Sequence, residues 1–394
     1  MNDPLLNVKG INCAAINAGI KNNDDLDLSV ISLTKGSVTA AVFTQNIFCA
    51  APVLVAKNHL QNFPRALLIN SGNANAGTGK KGIVNTLKSC EILANKLNIQ
   101  AEQVLPFSTG VIGKQIDLSH FESGISRAIS QLTVDSISNV AKGILTTDLV
   151  EKYCSRTFNF GGKKVILSGI AKGSGMIRPD MATMLSFIFT DIGSSQKALQ
   201  DSLAIAVDQS FNRITVDGDT STNDACTLSA TNQSGVQLSQ CTKEFQNALN
   251  GLTKDLAQMI VKDGEGATKF VEIKVGGLAS TEDCLEVAYT VAHSPLVKTA
   301  LFASDANWGR ILAAVGRSNV TGFSIEDIDI YLNDLQVISS GEPSNKYTEK
   351  SGSAEMQKSE ITIRIDLGDA GTSESVWTTD LSYDYVKINA EYRS

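Results

Sequence analysis

Histidine is scarce here. His59, His120 and His293 are the only three in 394 residues, and none has cysteine neighbours at ligand spacing, so a zinc site has little to build on. Clustered basic residues are missing as well. A nucleic-acid surface needs grouped Lys and Arg to replace counterions, whereas this chain carries a formal charge of −7 and no Lys/Arg-rich run. No apolar run approaches the ~20 residues that span a bilayer. The opening residues, MNDPLLNVKG, lack the basic segment and apolar core of a secretory leader, and they lack the Arg-rich character of a transit peptide. Seven cysteines (Cys13, Cys49, Cys90, Cys154, Cys226, Cys241, Cys284) contain no Cys-x-x-Cys pair. An odd, dispersed set reads as free thiols in a reducing compartment. The expectation is a cytoplasmic, metal-free protein with neither a nucleic-acid nor a membrane partner.

What is present is an ordinary globular balance, 42% hydrophobic and 19% charged. Short apolar runs at 38–43 (VTAAVF), 51–56 (APVLVA) and 66–69 (ALLI) predict buried strands. NSGNANAGTG at 70–79 predicts a loop. Helical spacing of apolar residues predicts helices over about 80–98, 196–211 and 240–261. Further strands are expected at 164–167, 185–190, 270–275, 285–289 and 361–367, with an exposed, low-complexity loop over 339–360 that has room for a short helix. Long helices between non-alternating apolar strands point to a layered α/β architecture with sheets covered on both sides.

The chemistry is concentrated in AKGSGMIRPDMATMLSFIFTD, residues 171–191. A strand runs into the flexible KGSG turn, Pro179 holds Arg178 extended, and Thr183 then stands directly before the apolar run Met184–Phe189. If the Ala182–Thr183 bond breaks, Thr183 gains a free α-amine beside its own hydroxyl. With an unperturbed pKa near ~7.7–8.0, that amine serves as general base without any histidine. Taken alone, a Thr before an apolar strand is ordinarily a β-branched strand residue. KGSG alone is equally a plain turn, since it lacks the spacing of a phosphate loop.

The whole pattern is more specific. KGSGMIRPDMATML resembles the cleavage-site signature of the bifunctional glutamate N-acetyltransferase/ornithine acetyltransferase family of arginine biosynthesis. The likeness continues through AVFTQNIFCAAPV (41–53), NSGNANAGTG (70–79), STGVIG (108–113), TTD (146–148), TVDGDTSTND (215–224), DGEGATK (263–269), VKTALFASDANWGRI (297–311) and YVKINAEYRS (385–394). Where the family usually has Ala-Pro-Asn, this chain has Arg178-Pro179-Asp180, but Met-Ala-Thr-Met-Leu is intact.

The resemblance implies self-cleavage between Ala182 and Thr183, giving an α chain (1–182) and a β chain (183–394) with a smaller C-terminal lobe from roughly 276. It implies an α/β sandwich of the self-cleaving aminopeptidase/ornithine acetyltransferase type and an α2β2 assembly. Thr183 would be the nucleophile, and the Thr109 hydroxyl with the Gly110 amide would form the oxyanion hole. Thr146, Lys172, Glu265, Asn389 and the terminal Ser394 match substrate-binding positions; the family often ends in Thr, and Ser394 keeps the hydroxyl. Each has a plainer reading: a Ser-Thr-Gly turn at 108–110, a helix cap at 146–148, a surface lysine at 172, a solvated turn carboxylate at 265 and a frayed terminus. Asp217, Asp219 and Asp224 lack full EF-hand spacing and read as structural, and the NSGNANAG loop reads as support for the site.

The implied reaction moves an acetyl group from N2-acetyl-L-ornithine to L-glutamate through an acetyl-threonine ester. It needs no cofactor, and the motifs leave open whether acetyl-CoA is a second acetyl donor. Two rival readings stay open: a self-cleaving aminopeptidase-like hydrolase, and an uncut amino-acid-binding protein.

Overall fold

Strand residues alternate between two apolar environments, and that alternation builds the layers. The computed structural model describes residues 5–178 and 184–391. The chain forms two compact units, one comprising the chain up to Asn212 with Asp219–Ile260, the other Arg213–Gly218 with the chain from Val261 onward. The cleavage pair Ala182 and Thr183, like Ser394, lies outside the described residues.

In the first unit, β1 (Ile11–Ile16), β2 (Leu28–Leu33), β3 (Val38–Phe43), β4 (Ala66–Asn73), β5 (Val104–Val111), β6 (Lys152–Phe160), β7 (Lys163–Lys172), β8 (Leu185–Thr190) and β9 (Ala225–Ala230) make two sheets. Their orders are β1-β2-β4-β5 and β3-β9-β8-β7-β6, with β4/β5 and β8/β9 parallel. In β4, Leu67 and Ile69 face the second sheet's Ile170, Leu185, Phe187 and Phe189. Ala66 and Leu68 point the other way, toward Cys90, Leu93, Phe121 and Ile125 on the helices Gly79–Leu97 and Leu118–Ser130. This is the period of two expected of a strand covered on both faces. Phe107 and Phe187 meet edge to face across the sheets at 5.0 Å. The helices Gln196–Asp208 and Thr242–Lys262 cover the second sheet's outer face: Gln200 bonds both backbone groups of Ala41, and a Cβ at Gly169 would strike Leu252 and Leu256. The layers run helix, sheet, sheet, helix, as the α/β expectation required.

The second unit contains β10 (Phe270–Gly277), β11 (Asp329–Leu332), β12 (Leu335–Ser339), β13 (Glu342–Pro343), β14 (Glu360–Asp366) and β15 (Ala370–Thr379), in the order β13-β12-β11-β14-β10-β15. One apolar core joins this sheet to the helices Thr281–Ala292, Pro295–Phe302 and Trp308–Gly316. The unit starts at Val261 rather than near 276, because β10 sits between β14 and β15 inside the sheet.

Three local expectations are corrected. Residues 51–56 are not a strand but the first turns of the helix Ala51–His59, where Pro52 occupies the initial turn that tolerates a missing N–H. Residues 285–289 lie within the helix Thr281–Ala292, capped by the Ser280 side chain on the Asp283 amide. The loop expected at 70–79 starts later, because Asn70–Asn73 continue β4. Residues 339–360 include the short helix Glu349–Met356. Among the described residues no helix is long and apolar enough to cross a membrane.

Candidate active site

Thr109 and Gly110 lie near the C-terminal end of β5, where it runs parallel to β4. The pairing shifts at Gly72/Asn73, so that Asn73 is matched with both Thr109 and Val111. Gly110 has a φ of 130°, and a Cβ there would lie 2.3 Å from the Gly72 carbonyl carbon. Only glycine fits so close an approach. The asparagine-rich motif braces this corner. Asn70 Nδ2 donates to the Asn73 carbonyl at 2.8 Å, the Ser108 hydroxyl donates to Asn70 Oδ1 at 2.5 Å, and Asn75 Nδ2 reaches Thr86 Oγ1 at 2.8 Å. Asn223 adds a strap that the sequence reading missed: its Nδ2 donates to the carbonyls of Ala74 (2.7 Å) and Ser108 (2.9 Å), the latter directly before Thr109.

Lys172 ends β7, and its Nζ donates to Thr109 Oγ1 at 3.3 Å. It is buried, not a surface lysine. With its oxygen accepting from an ammonium, the Thr109 hydroxyl keeps its own hydrogen for another acceptor, and the donor is polarised by the adjacent charge. Behind this pair sits Asp148, which the sequence reading took only as part of a helix cap. Its Oδ1 accepts from Lys152 Nζ at 2.7 Å and from the Gly173 amide at 2.6 Å. Its Oδ2 accepts from the Thr146 amide at 3.1 Å and lies 3.9 Å from Lys172 Nζ. Burial opposes ionisation of this carboxyl, but Lys172, Lys152 and the hydrogen bonds outweigh it and hold the pKa at about 2. Asp148 and Lys152 side chains are both wholly enclosed. The Thr147 hydroxyl bonds Ser174 Oγ at 2.7 Å and so ties this segment to the KGSG turn. No helix starts at Thr146–Asp148, so the helix-cap reading fails. The available signal was Asp148 and Lys152 four residues apart.

Asp224, read from the sequence as structural, is fully enclosed and accepts the Met184 amide at 2.9 Å on Oδ1. Burial pushes its carboxyl well above the usual carboxylate range, against the hydrogen bond from the Met184 amide. The peptide group it holds is the one that joins residue 184 to residue 183.

Glu265 and Asn389 come together in the second unit, Asn389 Nδ2 donating to Glu265 Oε2 at 2.8 Å. Composition suggested a solvated carboxylate, yet Glu265 is buried. Gly266 explains why: at φ 67° it lets the helix Tyr383–Glu391 approach until a Cβ would lie 2.4 Å from the Tyr385 nitrogen. Ser382 closes the contact, donating to the Gly266 carbonyl at 2.6 Å. Asp217 accepts from the Tyr385 hydroxyl at 3.3 Å. Thr109, Gly110, Thr146 and Lys172 are thus gathered in one unit, and Glu265 with Asn389 in the other.

A family model described as the ArgJ family matches residues 12–394. The chain belongs to the ArgJ family. The arginine biosynthesis bifunctional protein ArgJ of Pseudomonas syringae pv. tomato is 49% identical over 392 residues, 98% of this chain and 97% of the relative. Among solved structures, the Bacillus halodurans bifunctional protein argJ is 36% identical, covering 53% of this chain and 100% of that one, with a TM-score of 0.48. The Mycobacterium tuberculosis ornithine acetyltransferase, solved with ornithine, is 29% identical over 44% of this chain and 92% of that one, with a TM-score of 0.39. The ArgJ match takes in both units, so Thr109 and Lys172 in one and Glu265 and Asn389 in the other fall within it.

Proposed function

We propose that this chain is the acetyltransferase of arginine biosynthesis that moves an acetyl group from N2-acetyl-L-ornithine to L-glutamate, with Thr183 as nucleophile. The full-length ArgJ match carries the reading, and the Lys172–Thr109 contact supports it. Maturation begins when the Thr183 hydroxyl attacks the Ala182 carbonyl. Collapse of that adduct breaks the Ala182–Thr183 C–N bond, which frees the Thr183 amine and leaves an ester, and water then cleaves the ester to an Ala182 carboxylate and the Thr183 hydroxyl.

In the first half-reaction the Thr183 hydroxyl attacks the acetyl carbonyl carbon while its own amine takes the proton. Thr109 and Gly110 stabilise the oxyanion, a contribution on the order of 10²–10³ in rate per donor. Collapse breaks the C–N bond, returns the proton to the leaving nitrogen and releases ornithine. The glutamate amine then attacks the acetyl ester, and the same groups act in reverse. In this reading Lys172 holds the α-carboxylate, Thr146, Asn389 and Ser394 bind the amino acid, and Glu265 attracts the ornithine ammonium. No cofactor enters these steps. The name bifunctional borne by the Pseudomonas relative favours acetyl-CoA as a second acetyl donor for this chain as well. Chains 1–182 and 183–394 would assemble as α2β2.

Mass spectrometry of the purified protein tests this. Wild type should give two fragments split before Thr183, with acetyl label from N2-acetyl-ornithine on the 183–394 fragment. Thr183→Ala should stay whole and inert. An active, uncut polypeptide sinks the proposal, and acetyl release to water in preference to glutamate favours a hydrolase instead.

A further inference from the structure

The two amino acids of the proposed exchange share an α-amino acid group but differ at the far end. Ornithine carries an ammonium there and glutamate a carboxylate. One reaction centre must serve both, so the region beyond the shared group has to offer a cation to glutamate alone.

A cavity of ≈ 370 Å³ opens beside Thr146, lined by Lys21, Leu26, Lys142, Leu145, Thr146 and Asp148. That volume suits a small ligand. Of the cations nearby, Lys152 is wholly enclosed and bonded to Asp148, and Lys172 is engaged with Thr109 and Asp148. Lys142 is largely exposed and lies 3.8 Å from Glu151. Lys21 is different. It is half-buried, and among the described residues its ammonium makes one hydrogen bond, to the Leu26 carbonyl at 3.1 Å. Two of its three donors therefore remain. Its side chain lies against Gly72, where a Cβ would be 2.9 Å from Lys21 Cγ, and Gly72 is the strand partner of Gly110. The Lys21 stem thus borders the glycine corner that would form the oxyanion hole.

The acids around Lys21 are mostly committed elsewhere. Asp27 accepts the amides of Ala18 (2.6 Å), Ile20 (2.6 Å) and Lys21 itself (3.0 Å). Asp148 is saturated as described. Asp24 and Asp25 also line the cavity but are exposed, and Asp25 already accepts from Asn23 Nδ2 at 2.7 Å. Solvent screens such charges. Burial lowers the Lys21 pKa, with Asp25, Asp27 and Asp148 opposing that and Lys172 reinforcing it. An arriving carboxylate would add to the groups that favour its charged form.

We propose that Lys21 is the specificity residue for the acceptor, receiving the side-chain carboxylate of glutamate in the cavity beside Thr146. The assignment rests on the acetyl-transfer reading above and adds to it the residue that tells the two amino acids apart.

The test separates the half-reactions. Enzyme is first loaded with labelled N2-acetyl-ornithine, and ornithine release is timed. Glutamate or its neutral isostere glutamine is then added, and decay of the labelled acetyl-enzyme is followed. Wild type should prefer glutamate strongly. Lys21→Met should lower glutamate's acceptor efficiency about 10²-fold, the effect of losing a charge-assisted hydrogen bond. It should slow the loading step far less and leave glutamate and glutamine nearly equivalent. Lys21→Arg, which keeps the charge and the stem, should recover part of the preference. Equal losses in both half-reactions, or an undiminished preference in Lys21→Met, overturn the assignment alone. Absence of label on the wild-type 183–394 fragment overturns the acetyl-transfer reading and this assignment with it.

Discussion

Lys152 and Lys298 are both sealed inside the protein, one in each unit, and they are held in opposite ways. Lys152 touches a carboxylate, Asp148, at 2.7 Å, and that carboxyl stays ionised down to a pKa of about 2. Lys298 is held by neutral oxygens, donating to Thr378 Oγ1 at 3.1 Å and to the Thr379 carbonyl and hydroxyl. Burial drives its pKa down to about 8, and the charges of Asp380 and Asp217 only partly resist. Asp380 is itself occupied by the amides of Thr268 and Lys269. Lys152 thus has a carboxylate in direct contact, whereas the acids that act on Lys298 lie further off. The first unit spends this arrangement on the site, since the same carboxylate orients Thr146 and Lys172. The second uses its lysine to fasten the helix Pro295–Phe302 to the end of β15.

The sharpest way to break that contrast is to remove the carboxylate. Asp148→Ala removes a wholly enclosed carboxylate that touches Lys152 and lies 3.9 Å from Lys172, and should cost about 3–5 kcal/mol in urea denaturation. Lys298→Met keeps the stem and removes a charge that pairs with no carboxylate among the described residues, so its cost should be well under that. If Lys298→Met proves as damaging as Asp148→Ala, the two lysines are not held differently after all. The next effect lies in alkali. Lys298 has a folded pKa near 8 against 10.5 when unfolded, so between those values the unfolded chain binds the extra proton. Stability should therefore rise with pH across that window, by up to about 3 kcal/mol for one group. The only two tryptophans, Trp308 and Trp377, both lie in the second unit, so their fluorescence follows it. A slope that persists in Lys298→Met would assign the titration to another group.

How legible this molecule was depended on how local the cause was. The helices at 79–97, 196–208 and 242–262 could be read because their apolar spacing is set by their own backbone period. Residues 51–56 and 285–289 were misread as strands because valine and other bulky residues suggest β structure. In each, the deciding sign was one residue, Pro52 at a first turn or Ser280 as a cap. In the second case Cys284, Val287, Ala288 and Val291 already stood at helical spacing. Thr109, Gly110 and Lys172 were named through resemblance, and the contact between Lys172 and Thr109 joins residues 63 positions apart. Asn223 and Lys21 escaped notice, and Asp148 was read only as part of a helix cap, because their meaning comes from the partners that folding brings to them. A lone Asp after two threonines, or a lysine in a polar loop, announces nothing by itself.

The smallest effect to measure is also the one that isolates charge from shape. Asp148→Asn keeps the outline of the side chain and removes only its charge. In wild type the folded pKa of about 2 lies below the ordinary value of 3.8, so the unfolded state binds the proton first as acid is added. The stability that ionised Asp148 contributes is complete above about pH 4 and is lost as pH falls toward about 2, a change on the order of 2 kcal/mol. Wild type should therefore be the more stable protein at neutral pH by circular dichroism in urea, and the gap to Asp148→Asn should close across that acidic window. If the gap stays constant from neutral pH to pH 2, the carboxyl group holds Lys152 by geometry alone. The two units would then differ in packing, not in how they neutralise a buried cation.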